Sequence, residues 1–555
     1  MVMEVYSSVP FENWGHSVSN TPAYTAVPTT VLGVQNLVRY AGEKGLRVRA
    51  AGYRHSWAPV FGQTGQVLVS FVDIETAVTL PDPITIAGDP PAAAKVAELK
   101  SIEPGAESGG KKLVRVGAGV TSETLRRWQL ANGWVLPVDT VLVEVTMGGI
   151  TQGLCHGAGR AHKAIADYVR RIEYVDCKGK LQSVDDPRQL LAAAGNFGLF
   201  GIVTHVTFEL DRMSYALMKP RKIDISLAIP PLDKNDIPPA LRPSWFASPD
   251  ASTRLATATA EFETRALNDY YSEWFWCPYQ AKSWVHTWNP TPDSTGVTGY
   301  PDEGLTFLEW IQGWIAGVLT GSPFFNALPG YWQAQLLATS EMAILPPTLG
   351  ESAEPTIKTA LPNALHFRRG VQNMRVRNME FLIPLPPSKD DPSKPDLGVA
   401  RRAWWDVIKL LYAEPKNPLD PSSPMRLLLE MRIIGDSDLL LAPMQGNTFG
   451  TAAIEVLTVP DAVDDNEWQG FLQTVADKWL ATGEGLQVRP HLAKEWDGLT
   501  FKGVDARTYL RDVAMKEQIA VWKTAAAEIG AVQGWTVDEM RARFSNQLWD
   551  ELMFK

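Results

Sequence analysis

Several stretches carry side chains whose type and spacing suit chemistry. His55 is one of eight histidines in 555 residues and sits between Arg54 and Ser56 in RVRAAGYRHSWAPV. A histidine there serves either as an ordinary solvated loop residue or as a nucleophile and proton carrier, because its ring titrates near neutrality. EVTMGGITQGLCHGAGR, residues 144–160, holds Gly148, Gly149, Gly153, Gly157 and Gly159. Glycines at that density let backbone N–H groups come close to a diphosphate. In LLLEMRIIG, residues 427–435, Glu430 and Arg432 are two apart on a strand pattern. A period of two puts both on one face, and a buried pair is tolerated when each member satisfies the other. VRPHLAKEW, residues 488–496, places Lys494 three positions after His491. YYSEWFWCPY, residues 270–279, has Glu273 as the sole charge of an aromatic run. Pointing inward, its carboxyl is pushed up by burial and suits proton work; pointing out from an edge strand, it is merely solvated.

Regular elements must position these groups. PTTVLGVQNLVRYAGEKG reads as a helix capped by Thr29 or Thr30, with Val31, Val34, Leu37, Val38 and Ala41 on one face and Gly45 at its end. LRVRAAG then alternates as a strand and delivers the His55 loop. KKLVRVGAGVTSETLRRWQLANGWVLP reads as strand, turn and helix, with Thr121 or Ser122 as the cap. ADYVRRIEYVDCKGKLQSV is a hairpin turning at Lys178–Gly179, and GIVTHVTFEL is a strand that follows Gly198 and Gly201. Residues 81–112, rich in Pro, Gly and Ala, read as an irregular surface insertion. Beyond Leu210 the chain becomes richer in Trp and Pro. The division this suggests is a first domain over 1–214, an inserted domain over 215–464, and a return to the first over 465–555.

Composition and near-miss motifs narrow the function. A net charge of −10 without a basic run disfavours nucleic-acid binding. The first twenty residues show no signal-peptide pattern, and no apolar run reaches the roughly 20 residues of a membrane span. Cys155, Cys177 and Cys277 fit no zinc spacing and allow at most one disulfide, so no metal site is expected. GAESGGKK, residues 105–112, lacks the Ser or Thr of a phosphate loop and precedes a strand where that loop needs a helix. VGAGVTS, residues 116–122, lacks the third glycine of a dinucleotide fingerprint, and no parallel strand ends at Asp139. The twenty tryptophans suit either ordinary cores or the lining of an apolar ligand cavity.

The order GYRHS, VGAG, TMGGITQGLCHGAGR, hairpin, FGLFGIVTHV resembles the flavin-binding domain of the vanillyl-alcohol oxidase superfamily over about residues 22–212. The resemblance implies an α+β fold of two domains: an FAD-binding domain, and an inserted substrate domain of antiparallel sheet with flanking helices. It implies FAD joined through its 8α carbon to His55, with a neutral ring nitrogen as nucleophile. It places Gly52, Tyr53, Arg54, Ser56, Gly119, Met147, Gly148, Gly149, Gly153, His156, Gly157, Gly201, Ile202, Val203 and Lys494 around the cofactor, with Arg54 favouring the anionic reduced flavin.

The HLAK segment is similar to the His-x-x-Lys signature of aldonolactone and alditol oxidases, which brings Lys494 near the flavin ring and turns Glu430 and Arg432 to the substrate. YRHSW, EWFW and LLEMRI resemble the covalent-FAD, or class II, cholesterol oxidases of bacteria. The implied substrate is then a sterol with a 3β-hydroxyl, oxidised with molecular oxygen to the ketone and isomerised to the 4-en-3-one, with hydrogen peroxide released. Glu430 is the expected base, Arg432 its positioning partner, and Glu273 the second candidate base. The same resemblance implies a monomer secreted from the cell, in transient contact with a membrane surface. A different alcohol as substrate of the same kind of oxidase is the competing expectation.

Overall fold

The computed structural model describes residues 3–78, 97–348, 352, 355–366, 374–413, 423–483 and 485–555. Strands β1 (Glu4–Ser7), β2 (Tyr24–Val27), β3 (Val48–Ala51) and β4 (Val67–Ser70) make a sheet in the order β1-β2-β4-β3, parallel except for β1. Helix α1 (Val31–Glu43) joins β2 to β3. The Thr30 hydroxyl accepts from the Gly33 N–H as its cap, and the five apolar positions read from the sequence are all buried. Gly45, left-handed at φ +67°, turns the chain into β3.

Strands β5 (Ile102–Ser108), β6 (Lys111–Gly117), β7 (Val169–Val175), β8 (Leu181–Val184) and β9 (Ile202–Arg212) form a second, antiparallel sheet in the order β8-β7-β9-β6-β5, with Trp134–Val135 paired to the end of β9. Helices α2 (Ser122–Asn132), α3 (Met147–Gln152) and α4 (Pro187–Ala193) connect its strands. The phosphate-loop look-alike is the tip of the β5–β6 hairpin, turned by the left-handed Gly109 and Gly110. This corrects the irregular insertion expected over 81–112: residues 102–108 and 111–112 are the strands of that hairpin, and 81–96 lie outside the described residues.

The third sheet holds β10 (Tyr215–Met218), β11 (Arg221–Asp224), β12 (Tyr271–Trp276), β13 (Lys282–Thr291), β14 (Ile357–Ala360), β15 (Arg377–Pro384), β16 (Leu429–Ile434), β17 (Thr451–Thr458) and β18 (Arg489–Pro490). Its order is β14-β10-β13-β12-β16-β17-β15-β18, with β11 beside β13 and every pairing antiparallel. Helices α5 (Ala251–Asn268), α6 (Glu303–Thr320), α7 (Pro323–Asn326), α8 (Gly330–Ile344), α9 (Gly398–Leu411) and α10 (Asp465–Thr482) cover it.

Side chains alternate across the strands, so the two faces differ. Trp274, Trp276, Met431, Ile454 and Phe381 share a core with α5, α9 and α10. Tyr271, Phe275, Trp284 and Trp288 share another with α6, α7 and α8. Among the described residues, ten of the twelve largest fully buried side chains are tryptophans, which therefore serve mainly as core.

Helices α11 (Lys516–Gln533), α12 (Val537–Phe544) and α13 (Gln547–Met553) return to the first two sheets. The Trp522 indole donates to the Ala192 carbonyl of α4, and Asn546 donates to the carbonyls of Pro59 and Phe61. The return comes later than residue 465. Helix α10 stays on the third sheet, where the Trp479 indole donates to the Ala403 carbonyl of α9 and its ring packs on Phe381.

Candidate active site

Loops from all three sheets enclose a cleft of about 1480 Å³, counting the space open to solvent at its mouth. Its walls come from residues 49–57, from parts of the stretches 140–157 and 197–203, and from the charged side chains of Glu380, Arg432, His491 and Lys494.

Loop 52–57 holds His55 rigidly. Gly52 lies against Thr146, whose hydroxyl a Cβ there would overlap, so the His55 loop and the glycine-rich loop can meet only at a glycine. Arg54 is left-handed at φ +64°, a costly conformation for a non-glycine residue of the kind that gathers at functional sites. The Trp57 N–H donates to the Ala493 carbonyl at 2.7 Å, tying this loop to the Lys494 loop. The His55 ring stacks between Trp14, at 4.5 Å, and Tyr53, at 5.7 Å. Its Nε2 faces the buried Glu144 carboxylate at 3.0 Å. That approach is close but lacks hydrogen-bond geometry, and Nδ1 has no hydrogen-bond partner among the described residues. A carboxylate facing Nε2 favours the tautomer protonated there, which leaves the Nδ1 lone pair free for a bond.

The other wall is a buried charge network on one face of the third sheet. Glu273 opposes Arg432, Phe275 opposes Glu430, Glu430 opposes Glu455, and Glu455 opposes Glu380. Four adjacent strands thus align four glutamates and one arginine. Arg432 Nε donates to Glu273 at 2.8 Å, Nη2 pairs with Glu430, and Nη1 lies 3.3 Å from Glu455. Lys494 Nζ lies 2.8 Å from Glu455 and 3.6 Å from Glu380.

Burial opposes every charge here, yet the partners win. The three glutamates hold Arg432 well above its ordinary value, and Glu455 and Glu380 hold Lys494 above its own. Burial alone would raise Glu380, but His156 and Lys494 keep it well below the usual carboxylate range. His491 goes the other way: burial pushes it down to about 3, so it is neutral near pH 7. Its Nδ1 accepts the Ala493 N–H, so the ring proton sits on Nε2.

His156 lies between two acceptors. Nδ1 is 2.9 Å from the Gly157 carbonyl and Nε2 is 2.9 Å from Glu380 Oε1. A carbonyl only accepts, so Nδ1–H donates, and the proton facing Glu380 belongs to the His156–Glu380 pair. His156, Glu380 and His491 also lie close enough to ligate a metal ion. The Lys494 ammonium beside the same carboxylate favours a proton network over a cation site.

Of the residues singled out in the sequence, Gly52, Tyr53, Arg54, His55, Ser56, Gly148, Gly149, Gly153, His156, Gly157, Gly201, Ile202, Val203, Arg432 and Lys494 line the cleft. Gly119 and Met147 do not. Gly119 packs on the backbone of Leu99 and Phe71, and Met147 is fully buried in the core beneath the loop. Glu273 and Glu430 also stay off the wall, behind Arg432. Glu273 is wholly buried, which settles its direction as inward. Arg54 has its guanidinium over Phe11 and donates to the Glu12 carbonyl, so its charge is committed to the N-terminal segment. Among the described residues Trp57 is the one tryptophan on the wall.

Sequence reasoning missed Glu380, Glu455 and Glu144. The strand pattern RNMEFLIP puts Asn378 and Glu380 two apart on one face, the spacing that drew attention to Glu430 and Arg432.

The residues present fit FAD. The free Nδ1 of His55 and the unpartnered Gln152 amide nitrogen are buried polar atoms on the wall awaiting a polar ligand. The glycine loop supplies close backbone approach, and Phe61, Phe71, Val145 and Ile150 supply flat apolar surface. Comparisons with known proteins agree. Residues 95–185 match an FAD binding domain. No curated protein sequence matches the chain. The fold is similar to that of a solvent-stable cholesterol oxidase, at 17% identity and a TM-score of 0.66 over 100% of this chain and 98% of that one. It is also similar to cholesterol oxidase from B. sterolicum, at 14% identity and 0.65 over 99% and 97%. A histidine-to-alanine variant of cholesterol oxidase from Brevibacterium sterolicum gives 14% and 0.64 over 99% and 98%. The chain thus carries an FAD-binding domain within a mixed helix-and-sheet fold similar to that of these cholesterol oxidases, as the sequence led us to expect.

Proposed function

We propose that the chain is a flavin-dependent oxidase of a large apolar alcohol, with a 3β-hydroxysterol as substrate and oxygen as acceptor. The observation that carries this reading is the buried ionised carboxylate of Glu380 on the cleft wall, flanked by Lys494 and Arg432. When bound, FAD supplies the two-electron oxidation and, with oxygen, the peroxide. The chain supplies the rest. Glu380, ionised at neutral pH, accepts the hydroxyl proton as the alcohol becomes a ketone. Lys494 and Arg432 stabilise negative charge developing on that oxygen, and the His491 Nε2–H is a further donor on the same wall. This moves the base from Glu430, the expectation from sequence, to Glu380: Glu430 is bound to Arg432 and off the wall. We assign the proton transfer of the isomerisation to Glu380 for the same reason.

His55 is proposed to bond the 8α carbon of FAD through Nδ1, with Glu144 holding the ring. Tyr271, Phe275, Trp284 and Trp288 continue the sheet face beyond Glu273 and Glu430 but are buried as core beneath α6, α7 and α8, so the choice of a sterol over a sugar alcohol rests on the resemblance. A secreted monomer remains our expectation from the resemblance.

The test is peroxide formation by the purified holoprotein with cholesterol, xylitol and gulonolactone. Turnover of cholesterol, with chromatography separating the 5-en-3-one from the 4-en-3-one, supports the reading. Turnover of a polyol or lactone without any of sterol sinks it.

A further inference from the structure

Helix α6 has its amphipathicity reversed. It buries Thr306, Glu309, Gly313, Ala316 and Thr320, small or polar residues, against the protein. It turns Phe307, Leu308, Trp314, Ile315, Val318 and Leu319 outward, positions that recur along one stripe of an 18-residue helix. A helix facing water does the opposite. The short α7 adds Phe324, 80% exposed, and α8 adds Trp332 and Leu336. These nine are gathered between 307 and 336, out of twenty-one large exposed hydrophobics over all described residues. A monomer rarely leaves so much contiguous apolar surface bare.

The charge pattern says what covers it. Residues 310–340 contain no Asp, Glu, Lys, Arg or His, where the chain's 21% charged composition predicts about six. A protein partner is met by a hydrophobic centre within a polar rim; the charges these helices carry are Glu303, the buried Glu309, and Glu341, all outside this stretch. An anionic lipid surface is met by Lys and Arg, and this face has none. Apolar side chains with two outward tryptophans match the acyl boundary of a neutral bilayer, where Trp settles at the headgroup level. No helix among the described residues is long and apolar enough to cross a membrane, so the contact is peripheral. The inward side of the same helices, through Ala316, Phe325 and Leu337, packs on the aromatic face that carries Tyr271 and Phe275.

We propose that α6, α7 and α8 form a docking surface for the neutral lipid bilayer, seated over the aromatic end of the substrate sheet. Delivery of an apolar alcohol through it rests on the function proposed above; the docking itself does not.

The probe is a sterol-free phosphatidylcholine vesicle, which offers no substrate and so separates docking from catalysis. The intact holoprotein should float with the vesicles, and raising salt should leave the bound fraction unchanged. Ile315→Asp combined with Phe324→Asp alters only exposed positions and should lower partitioning at least tenfold. Its activity on detergent-solubilised substrate should stay within twofold of wild type. Val532→Asp, at an equally exposed valine on α11, is the control and should partition as wild type. Wild type that stays in the aqueous fraction at every lipid concentration overturns the proposal. So does salt-sensitive binding, or a wild-type dimer by light scattering that the double variant abolishes without any vesicle binding. Loss of oxidase activity with docking intact would instead strike the proposed function alone.

Discussion

Lys494→Met removes the ammonium 2.8 Å from Glu455 and 3.6 Å from Glu380 while keeping a stem of similar length. Those glutamates are direct neighbours across β15 and β17, so the variant leaves two carboxylates facing each other in the interior. Removing one partner of a buried ion pair costs about 3–5 kcal/mol, and we expect that deficit at pH 8. Its pH dependence is the sharper consequence. Burial by itself raises both carboxyls, but their cationic neighbours, Lys494 among them, keep both below the ordinary value. Unfolded, each titrates near 4.3. Their wild-type contribution is therefore present above about pH 4.3 and lost as the pH falls through the lower folded values. In the variant, burial and mutual repulsion lift at least one carboxyl above 4.3. The folded state then binds an extra proton and gains stability as the pH falls. The gap between the proteins should narrow from pH 8 towards pH 5 by up to about 1.4 kcal/mol per pH unit for each proton taken up. Lys494 itself is shifted upward, so its own contribution is complete below about pH 10.4 and fades only above that, outside the window. The assay is urea unfolding followed by tryptophan fluorescence at pH 5, 6, 7 and 8 and constant ionic strength, with Lys494→Arg as the charge-retaining control. A deficit below about 1 kcal/mol at pH 8, or one equal at pH 5 and pH 8, refutes the network as described.

His55→Ala should fold and bind FAD but release all of it into the supernatant on acid precipitation; a yellow pellet removes His55 from its role. Glu144→Ala should slow the appearance of acid-stable flavin after FAD is added to apoprotein, without abolishing it, because Nδ1 loses only its orienting partner. Glu380→Gln should lower kcat by about 10²–10⁴-fold with little change in KM for the sterol. Glu430→Gln, altered behind Arg432, should affect the rate far less, and equal losses in peroxide assays would return the base to Glu430. Gly52→Ala should destabilise by about 1–3 kcal/mol through overlap with the Thr146 hydroxyl. Thermal unfolding of Gly52→Ala with Thr146→Ala should recover most of that; no recovery would mean the contact between the two loops is not what fixes the glycine.

Local patterns in the sequence carried the first two sheets well. The α1 face, the Thr121 cap of α2 and the turn at Lys178–Gly179 depend on neighbours within a few residues, and all stand where the spacing put them. The His55 loop, the glycine loop and the Lys494 loop were also legible as separate stretches. Their meeting was not, because it depends on Gly52 against Thr146 and Trp57 against Ala493, contacts across some ninety and more than four hundred residues. The third sheet hid more. Its central order runs β12-β16-β17-β15, so Glu273, Glu430, Glu455 and Glu380 become neighbours although their strands are not consecutive. No spacing encodes that row. Glu380 looked like one acidic residue in an apolar strand, and only the register shows which cations face it. The aromatic stretches misled in a physical way too. FLEWIQGWIAGVL and PFFNALPGYW are surface helices and RRAWWDVIKLLY is core on the far side of the sheet, so apolar composition did not mark the cavity wall.

The row also explains how a carboxylate stays ionised in a place that should neutralise it. A lone glutamate buried as deeply as Glu380 would keep its proton and be useless as a base. His156 and Lys494 prevent that by holding Glu380 well below the usual carboxylate range. Glu455 divides the ammonium: Lys494 sits 2.8 Å from Glu455 and only 3.6 Å from Glu380. Arg432 cannot make up the difference, since Glu273 and Glu430 hold two of its nitrogens. Four carboxylates therefore share two permanent cations, and Glu380, the one of the four that lines the cleft, has His156 as its nearest partner. Nε2 of His156 faces it with a proton the pair must share. With Oε1 engaged by that shared proton, Oε2 is the oxygen on which we expect Glu380 to take the proton of the substrate.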